Sequence, residues 1–320
     1  MGQIKEKIVF VDLLYADGGS FDEDFEALKL ALSKDFEIKY IKLNNNHFYK
    51  AIPLIFYYTL FARCKRVVFL SSKLSALFLF TPLRIFAKFY AIYHFIPRHR
   101  MVFHKLALCL ICKIFKIGVY SSGVSKIINN FYGVHATELP SRVVDKVLSM
   151  RLLREKLSHN EISVLVPALR AGVRRSVEVD PIVAELNIKL GYSSKKICFH
   201  GSGFGVLTSE NLISLSGNLE RSKYNELFQE ALIVAINFED SYETRASGVI
   251  LDALSYGCIV VSNEHPIVIQ YGFPDSVVTD IKNLKYIVES IKNGTDEYLI
   301  SMIPGAGLSE FREKWITFLN

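Results

Sequence analysis

Apolar residues recur in this chain as short unbroken runs separated by amphipathic stretches. Residues 8–14 form the first run and read as a buried strand. A glycine turn follows at 15–20, then a helix over 21–32 with Phe25, Leu28 and Leu32 on one face. The alternation continues with strands expected at 37–43, 66–71, 89–95 and 117–121. Helices are expected at 47–63, disturbed early by Pro53, at 101–115, and at 124–132, where Gly133 stops the last. Residues 145–160 are polar and helical, which suggests a hinge. The pattern then restarts, with strands at 162–166, 196–200, 232–237 and 258–262 and helices at 177–190, 223–231 and 281–292. Strands alternating with helices in this way indicate an α/β fold with parallel sheets. The expectation is two Rossmann-like doubly wound parallel-sheet domains facing a cleft. The first covers 1–150 and the second 151–305, with an amphipathic helix at 306–320.

Length agrees, since 320 residues exceed one typical domain and suit two. Half the residues are hydrophobic, enough for sizeable cores, yet no charge-free apolar run reaches membrane-spanning length. The opening MGQIKEKIVFVDLL reads as a charged lead into a strand rather than a signal peptide. Five cysteines, an odd number set mostly in apolar runs, suggest a reduced, cytoplasmic protein. Cys109 and Cys112 form a CxxC, but in LALCLICKIF they read as core residues of an apolar helix.

The net charge of +6 conceals an asymmetry. Residues 38–137 contain no Asp or Glu, although the chain holds 32 acids in 320 residues. The same window carries 15 Lys and Arg interleaved with aromatics, as in RIFAKFY at 84–90. A basic, aromatic surface without acids suits an anionic bilayer, where each cation contributes about 1 kcal/mol. Nucleic acid phosphates would suit it too, but no helix-turn-helix, RNP or zinc-finger pattern appears, so no nucleic acid partner is expected. The plainer alternative is a basic solvated surface over an ordinary core.

The stretch richest in chemistry is YETRASGVILDALSYGCIVVS at 242–262. Glu243 precedes a small-residue turn at Ala246-Ser247-Gly248. Asp252 lies one turn into the apolar helix that follows, and Gly257 stops that helix before a buried strand. Backbone N–H groups at Ser247 and Gly248 and the helix dipole would favour a phosphate, with the two acids flanking it to accept from hydroxyls. An ordinary α/β crossover with solvated acids is the other reading. This stretch resembles the donor-site signature of GT-B glycosyltransferases, in particular the retaining enzymes of glycosyltransferase family 4. Leu251 to Val261 carries the match. The helix acid here is Asp where the family has Glu, and Glu243 and Asp252 are nine apart where the family has eight.

The resemblance implies roles for further residues. Arg170 and Arg175 keep the five-residue spacing of the family's two basic residues, and with Arg174 they form a basic segment after a strand. As planar forks they would hold the donor diphosphate and stabilise the leaving group. Asp252 would accept from the ribose hydroxyls and Glu243 from the sugar. His94, at a strand end, matches a histidine loop beside the transferred sugar, although such a histidine is commonly structural. Gly18 and Gly19 match a glycine loop facing acceptor and phosphates, although they equally make a tight turn. GSGFG at 201–205 sits where the family has a turn near the nucleotide base, but it is no dinucleotide fingerprint. Asp22-Glu23-Asp24 has the Asp-x-Asp form of metal-dependent transferases, but it opens a helix where acids complement the dipole, so no metal is expected.

The expected function is metal-independent, retaining transfer of a sugar from a nucleotide-sugar, with no cofactor, to a lipid-linked oligosaccharide acceptor. The setting implied is synthesis of bacterial surface polysaccharide such as lipopolysaccharide, by a protein peripheral on the inner face of the cytoplasmic membrane. Two alternatives stay open: a GT-B nucleotide-sugar epimerase, and a non-enzymatic membrane- or nucleic-acid-binding protein on a decayed transferase scaffold.

Overall fold

The computed structural model describes residues 5–13, 21–43, 49–71, 74–94, 101–169, 174–175, 179–200, 212–215, 219–238, 247–263, 265, 268, 278–279, 281–294 and 307–320. The chain forms two compact units. One comprises the described residues up to Val143 together with Leu308–Asn320, and the other those from Val144 to Gly307.

The first unit is built on six parallel strands: β1 Glu6–Asp12, β2 Phe36–Lys42, β3 Arg66–Ser71, β4 Lys88–Tyr93, β5 Phe115–Val119 and β6 Ala136–Glu138, in the order β2-β1-β3-β4-β5-β6. Central strands are apolar on both faces because helices cover both. On one face Val9, Val67, Phe69, Phe89 and Ile117 meet Ile55 of α2 (Ala51–Phe56), Leu77 of α3 (Leu74–Leu77) and Leu108 of α4 (Met101–Ile111), with Val124 of α5 (Ser122–Ile127). Wider turns at Tyr57–Phe61 and Ile128–Tyr132 extend α2 and α5, and a tight 3-10 segment, Phe78–Ile85, extends α3.

The opposite face carries α1 (Phe21–Leu32) and α11 (Leu308–Leu319). There Phe10 packs edge-on to Phe25 and Trp315, and Tyr90 to Phe318. Trp315 Nε1 donates to the Pro140 carbonyl at 3.0 Å, and Arg312 grips Asp35 through two bonds of 2.9 and 2.6 Å. Gly118 permits this docking, since a Cβ there would come within 2.6–2.7 Å of Leu139 and Ile92 and 3.1 Å of Phe318.

The second unit holds β7 Glu161–Leu169, β9 Ser193–His200, β10 Leu212–Leu215, β11 Ala231–Phe238, β12 Ile259–Ser262 and β13 Val278–Thr279, all parallel, in the order β10-β9-β7-β11-β12-β13. A two-residue strand, β8 (Arg174–Arg175), runs antiparallel to the end of β11. The core joins Val164, Ile233 and Val260 to Leu153 of α6 (Lys146–Leu157), Ile182 of α7 (Val179–Ala184), Phe228 of α8 (Arg221–Glu230), Leu254 of α9 (Gly248–Ser255) and Ile287 of α10 (Leu284–Lys292). Among the described residues no helix is long and apolar enough to cross a membrane.

One expectation is corrected. Residues 145–160 are not a polar hinge but α6, a packed helix of the second unit. Ser149, Met150, Leu153 and Leu157 supply its buried stripe at helical spacing, and the charged residues between them conceal it. Lys156 is buried as well. Its amine donates to the carbonyls of Phe228 (2.9 Å), Ala231 (2.7 Å) and Tyr256 (2.6 Å), with Cys258 Sγ at 3.4 Å. A cation at the C-terminal ends of α8 and α9 is favoured by both helix dipoles.

Candidate functional site

In a doubly wound sheet, ligands gather beyond the carboxyl ends of the strands where the strand order reverses. In the second unit that point lies between β7 and β11, because β9 and β10 extend one way and β12 and β13 the other. β7 ends at Leu169, immediately before the basic segment, and β8 returns to pair Arg175 with Asn237 and Arg174 with Phe238. The backbone of Arg175 is therefore held at the carboxyl end of β11. Asn263, just after β12, braces the same edge: its side chain accepts from Phe238 N at 2.9 Å and donates to Phe238 O at 3.2 Å, while its own N–H donates to Asn237 Oδ1 at 3.1 Å.

The helix expected from the signature is α9. Ser247 is its N-cap, extended and fully buried, and Gly248 is its first residue. The stop is a Schellman cap: Cys258 N bonds Ala253 O at 2.9 Å and Gly257 N bonds Leu254 O at 3.0 Å, with Gly257 at φ +66°. Gly257 is doubly required, because a Cβ there would lie 2.5 Å from Ser149 O and 2.7 Å from Leu153 N of α6.

Asp252 is 5% exposed and is held by α8. Tyr224 donates its hydroxyl to Asp252 Oδ2 at 2.8 Å, and Arg221 lies 3.7 Å from Oδ1, with its guanidinium 4.4 Å from the Tyr224 ring centre. Burial pulls the Arg221 pKa below its ordinary value, while the neighbouring Tyr224 and Tyr256 oppose the shift. A carboxylate can accept several hydrogen bonds, and the contact from Tyr224 fixes the orientation of this one. Sequence reasoning missed Tyr224 and Arg221, which sit in a polar helix about 30 residues before the acid.

At the carboxyl ends of the first sheet, His94 follows β4. Its Nε2–H donates to the Leu70 carbonyl at 2.5 Å, its ring meets Tyr120 edge-on at 4.9 Å, and burial lowers its pKa to about 4. The imidazole is neutral at neutral pH. Nearby, Asp12 ends β1 fully buried and accepts from the Ser71 hydroxyl. The acids opening α1 are ion-paired: Asp22 to Lys42 at 2.5 Å, Glu23 to Arg142, and Asp24 to Arg142 Nε at 3.5 Å. Asp24 is more than a dipole acid. Burial raises its pKa to about 7 despite Arg142, so it can take or release a proton near neutral pH. That property was not legible in the sequence, because Arg142 lies 118 positions away.

Gly18, Gly19, Arg170, the 201–205 turn and Glu243 lie outside the described residues. Of the other candidates, the second unit holds the Arg175 backbone on β8, paired with the end of β11, and Ser247, Gly248 and Asp252 at α9, the helix that follows β11 in the chain. His94 belongs to the first unit.

No protein-family model matches the chain, and no curated protein matches it by sequence. Its fold does match solved structures. A glycosyltransferase from Rickettsia africae aligns with TM-score 0.56 at 14% identity, covering 99% of this chain and 94% of that one. A UDP-forming alpha,alpha-trehalose-phosphate synthase from Burkholderia xenovorans gives 0.60 at 9%, covering 99% of each chain. HepE from Anabaena, solved with UDP-glucose, gives 0.57 at 12%, covering 97% of this chain and 98% of that one. These structures are glycosyltransferases of the GT-B type, and the fold of this chain is GT-B.

Proposed function

We propose that this GT-B protein transfers a sugar from a nucleotide-sugar to an acceptor hydroxyl, with the donor held by the second unit. The observation that carries the reading is Asp252, buried on α9 and oriented by Tyr224 behind an N-terminus that adjoins the switch point. The N–H groups at Ser247 and Gly248, with Arg170 and Arg175, hold the diphosphate. Asp252 accepts from the ribose and Glu243 from the sugar. The bond between the anomeric carbon and the diphosphate oxygen breaks, the nucleoside diphosphate departs, and the acceptor oxygen bonds to that carbon from the same face. The acceptor proton passes to the departing diphosphate. Protein groups supply position and charge stabilisation and form no covalent intermediate. HepE, a similar structure, binds UDP-glucose, which supports a uridine donor as the first to try.

The acceptor in this reading is a saccharide on a lipid diphosphate, and the pathway is bacterial surface-polysaccharide synthesis at the inner face of the cytoplasmic membrane. The acid-free stretch 38–137 supports this, as do the apolar side chains it exposes, among them Phe61, Leu79, Ile85 and Leu106. The test is Asp252→Ala. It should weaken nucleotide-sugar binding at least tenfold, since a hydrogen bond to a charged group contributes about 1.5–3 kcal/mol. Unchanged affinity in a folded variant would remove Asp252 from the donor site.

A further inference from the structure

The first unit has a concave feature at the amino end of its sheet. A cavity of about 1150 Å³ opens where β1, β3, β4 and β5 begin. Among the described residues, eight Lys or Arg line it against one acid, Glu6.

Part of this charge has a structural use. Arg66 pairs with Glu6 and donates to Leu319 O at 2.9 Å. Lys88 donates to Asn320 O at 3.2 Å and Lys116 to Thr317 O at 3.5 Å. Those carbonyls are the negative end of α11, which accounts for three cations. Lys7, Arg63, Lys65 and Arg84 are in excess of that need, since their side chains make no hydrogen bond or ion pair with a described residue. Sheet register crowds the charges further, with Arg66 opposite Lys88. Burial and then Lys88 hold the Lys116 amine below its ordinary pKa.

Exposed apolar side chains accompany these cations. Ile85 and Phe86, which line the cavity, are 81% and 44% exposed, and Phe61, next to the lining residue Ala62, is 75% exposed. Cations beside exposed Ile and Phe match a bilayer interface, where apolar side chains enter the headgroup boundary and the charges meet phosphate.

We propose that this cavity seats the phosphate headgroup of an anionic phospholipid, with Phe61, Ile85 and Phe86 inserted beside it. This rests on the membrane reading above and narrows it to one place, apart from the donor site.

The test is sedimentation with phosphatidylcholine vesicles, with and without phosphatidylglycerol. Wild type should bind anionic vesicles and bind neutral ones poorly. Lys65→Gln with Arg84→Gln should weaken anionic binding roughly thirty-fold, the combined weight of two cations near such a surface. Ile85→Ser with Phe61→Ser should weaken it at every salt concentration, while Lys195→Gln with Lys285→Gln, the same charge removed from exposed positions in the second unit, should leave it unchanged. If the double charge variant fails to fold, Arg84→Gln alone should weaken binding about fivefold.

Inorganic pyrophosphate distinguishes the source of phosphate. If it stabilises wild type but not the charge variant, and the apolar variant binds vesicles normally, the ligand is a free anion and the lipid assignment fails. If the charge variant binds anionic vesicles like wild type, the cavity assignment fails and the membrane reading survives. If wild type ignores lipid charge, both fail. Nucleotide-sugar binding on the same preparations separates either result from failure of the donor assignment.

Discussion

Lys156→Met tests whether the buried amine holds the ends of α8 and α9 together. Lys156 is 8% exposed and its ammonium is shared by three main-chain carbonyls, at 2.9, 2.7 and 2.6 Å, from the ends of α8 and α9 and the start of β11. Methionine fills a similar volume and removes every donor. A buried acceptor left unsatisfied costs about 1–3 kcal/mol. Two of the three keep a weaker partner, because Cys258 Sγ lies 3.2 Å from Phe228 O and 3.1 Å from Ala231 O. Relief from burying an ammonium offsets part of the rest. The net expectation is a loss of about 3 kcal/mol. At about 2–4 °C per kcal/mol for a unit of this size, the midpoint by circular dichroism should fall by about 6–12 °C. Lys223→Met, on the exposed side of α8, should shift it by less than about 2 °C. An equal or raised midpoint for Lys156→Met would refute the reasoning, and would mean that desolvation of the amine outweighs its bonds.

Four further outcomes are expected. Gly257→Ala should destabilise far more than Gly133→Ala in urea unfolding: both sit at positive φ, which costs about 1–2 kcal/mol, but only at Gly257 would the new Cβ strike main-chain atoms. Between pH 4 and 7 the unfolded chain ionises Asp24 while the folded chain keeps its proton, so this acid loses stability as pH rises; Asp24→Asn should therefore gain on wild type in thermal midpoint more at pH 8 than at pH 4. His94 acts in the other direction, since its contribution is complete above about pH 6.5 and is lost as pH falls towards 4, and His94→Asn should flatten that part of the profile. If, as proposed, Arg170 and Arg175 neutralise the diphosphate, turnover should survive excess EDTA; a loss restored only by magnesium or manganese would overturn that assignment.

The strands were legible because parallel-sheet strands buried on both faces are continuous apolar runs, as in IVFV of β1 and LIVAI of β11. The α9 stop was legible from Gly257, whose left-handed conformation few other residues adopt. What stayed hidden depends on distant partners. In LLREKLSHN, Lys156 looks like a solvated lysine, and only the fold brings three carbonyls to it. Tyr224 and Asp252 are unremarkable in their own helices until α8 and α9 pack side by side. β8 is two residues long and its pairing with β11 leaves no periodic trace, so its placing of Arg175 was visible only in the structure.

The proposed function requires the second unit to bind a nucleotide-activated sugar. Thermal unfolding of the wild-type protein with UDP-, GDP-, CDP- and dTDP-sugars tests it most directly. At a hundredfold excess over its dissociation constant, a true donor stabilises the folded state by about 2.7 kcal/mol. One nucleotide class, UDP first, should raise the midpoint by about 5–10 °C, and the rise should disappear in Asp252→Ala. No shift with any of the four, or an equal shift in wild type and Asp252→Ala, would contradict the account.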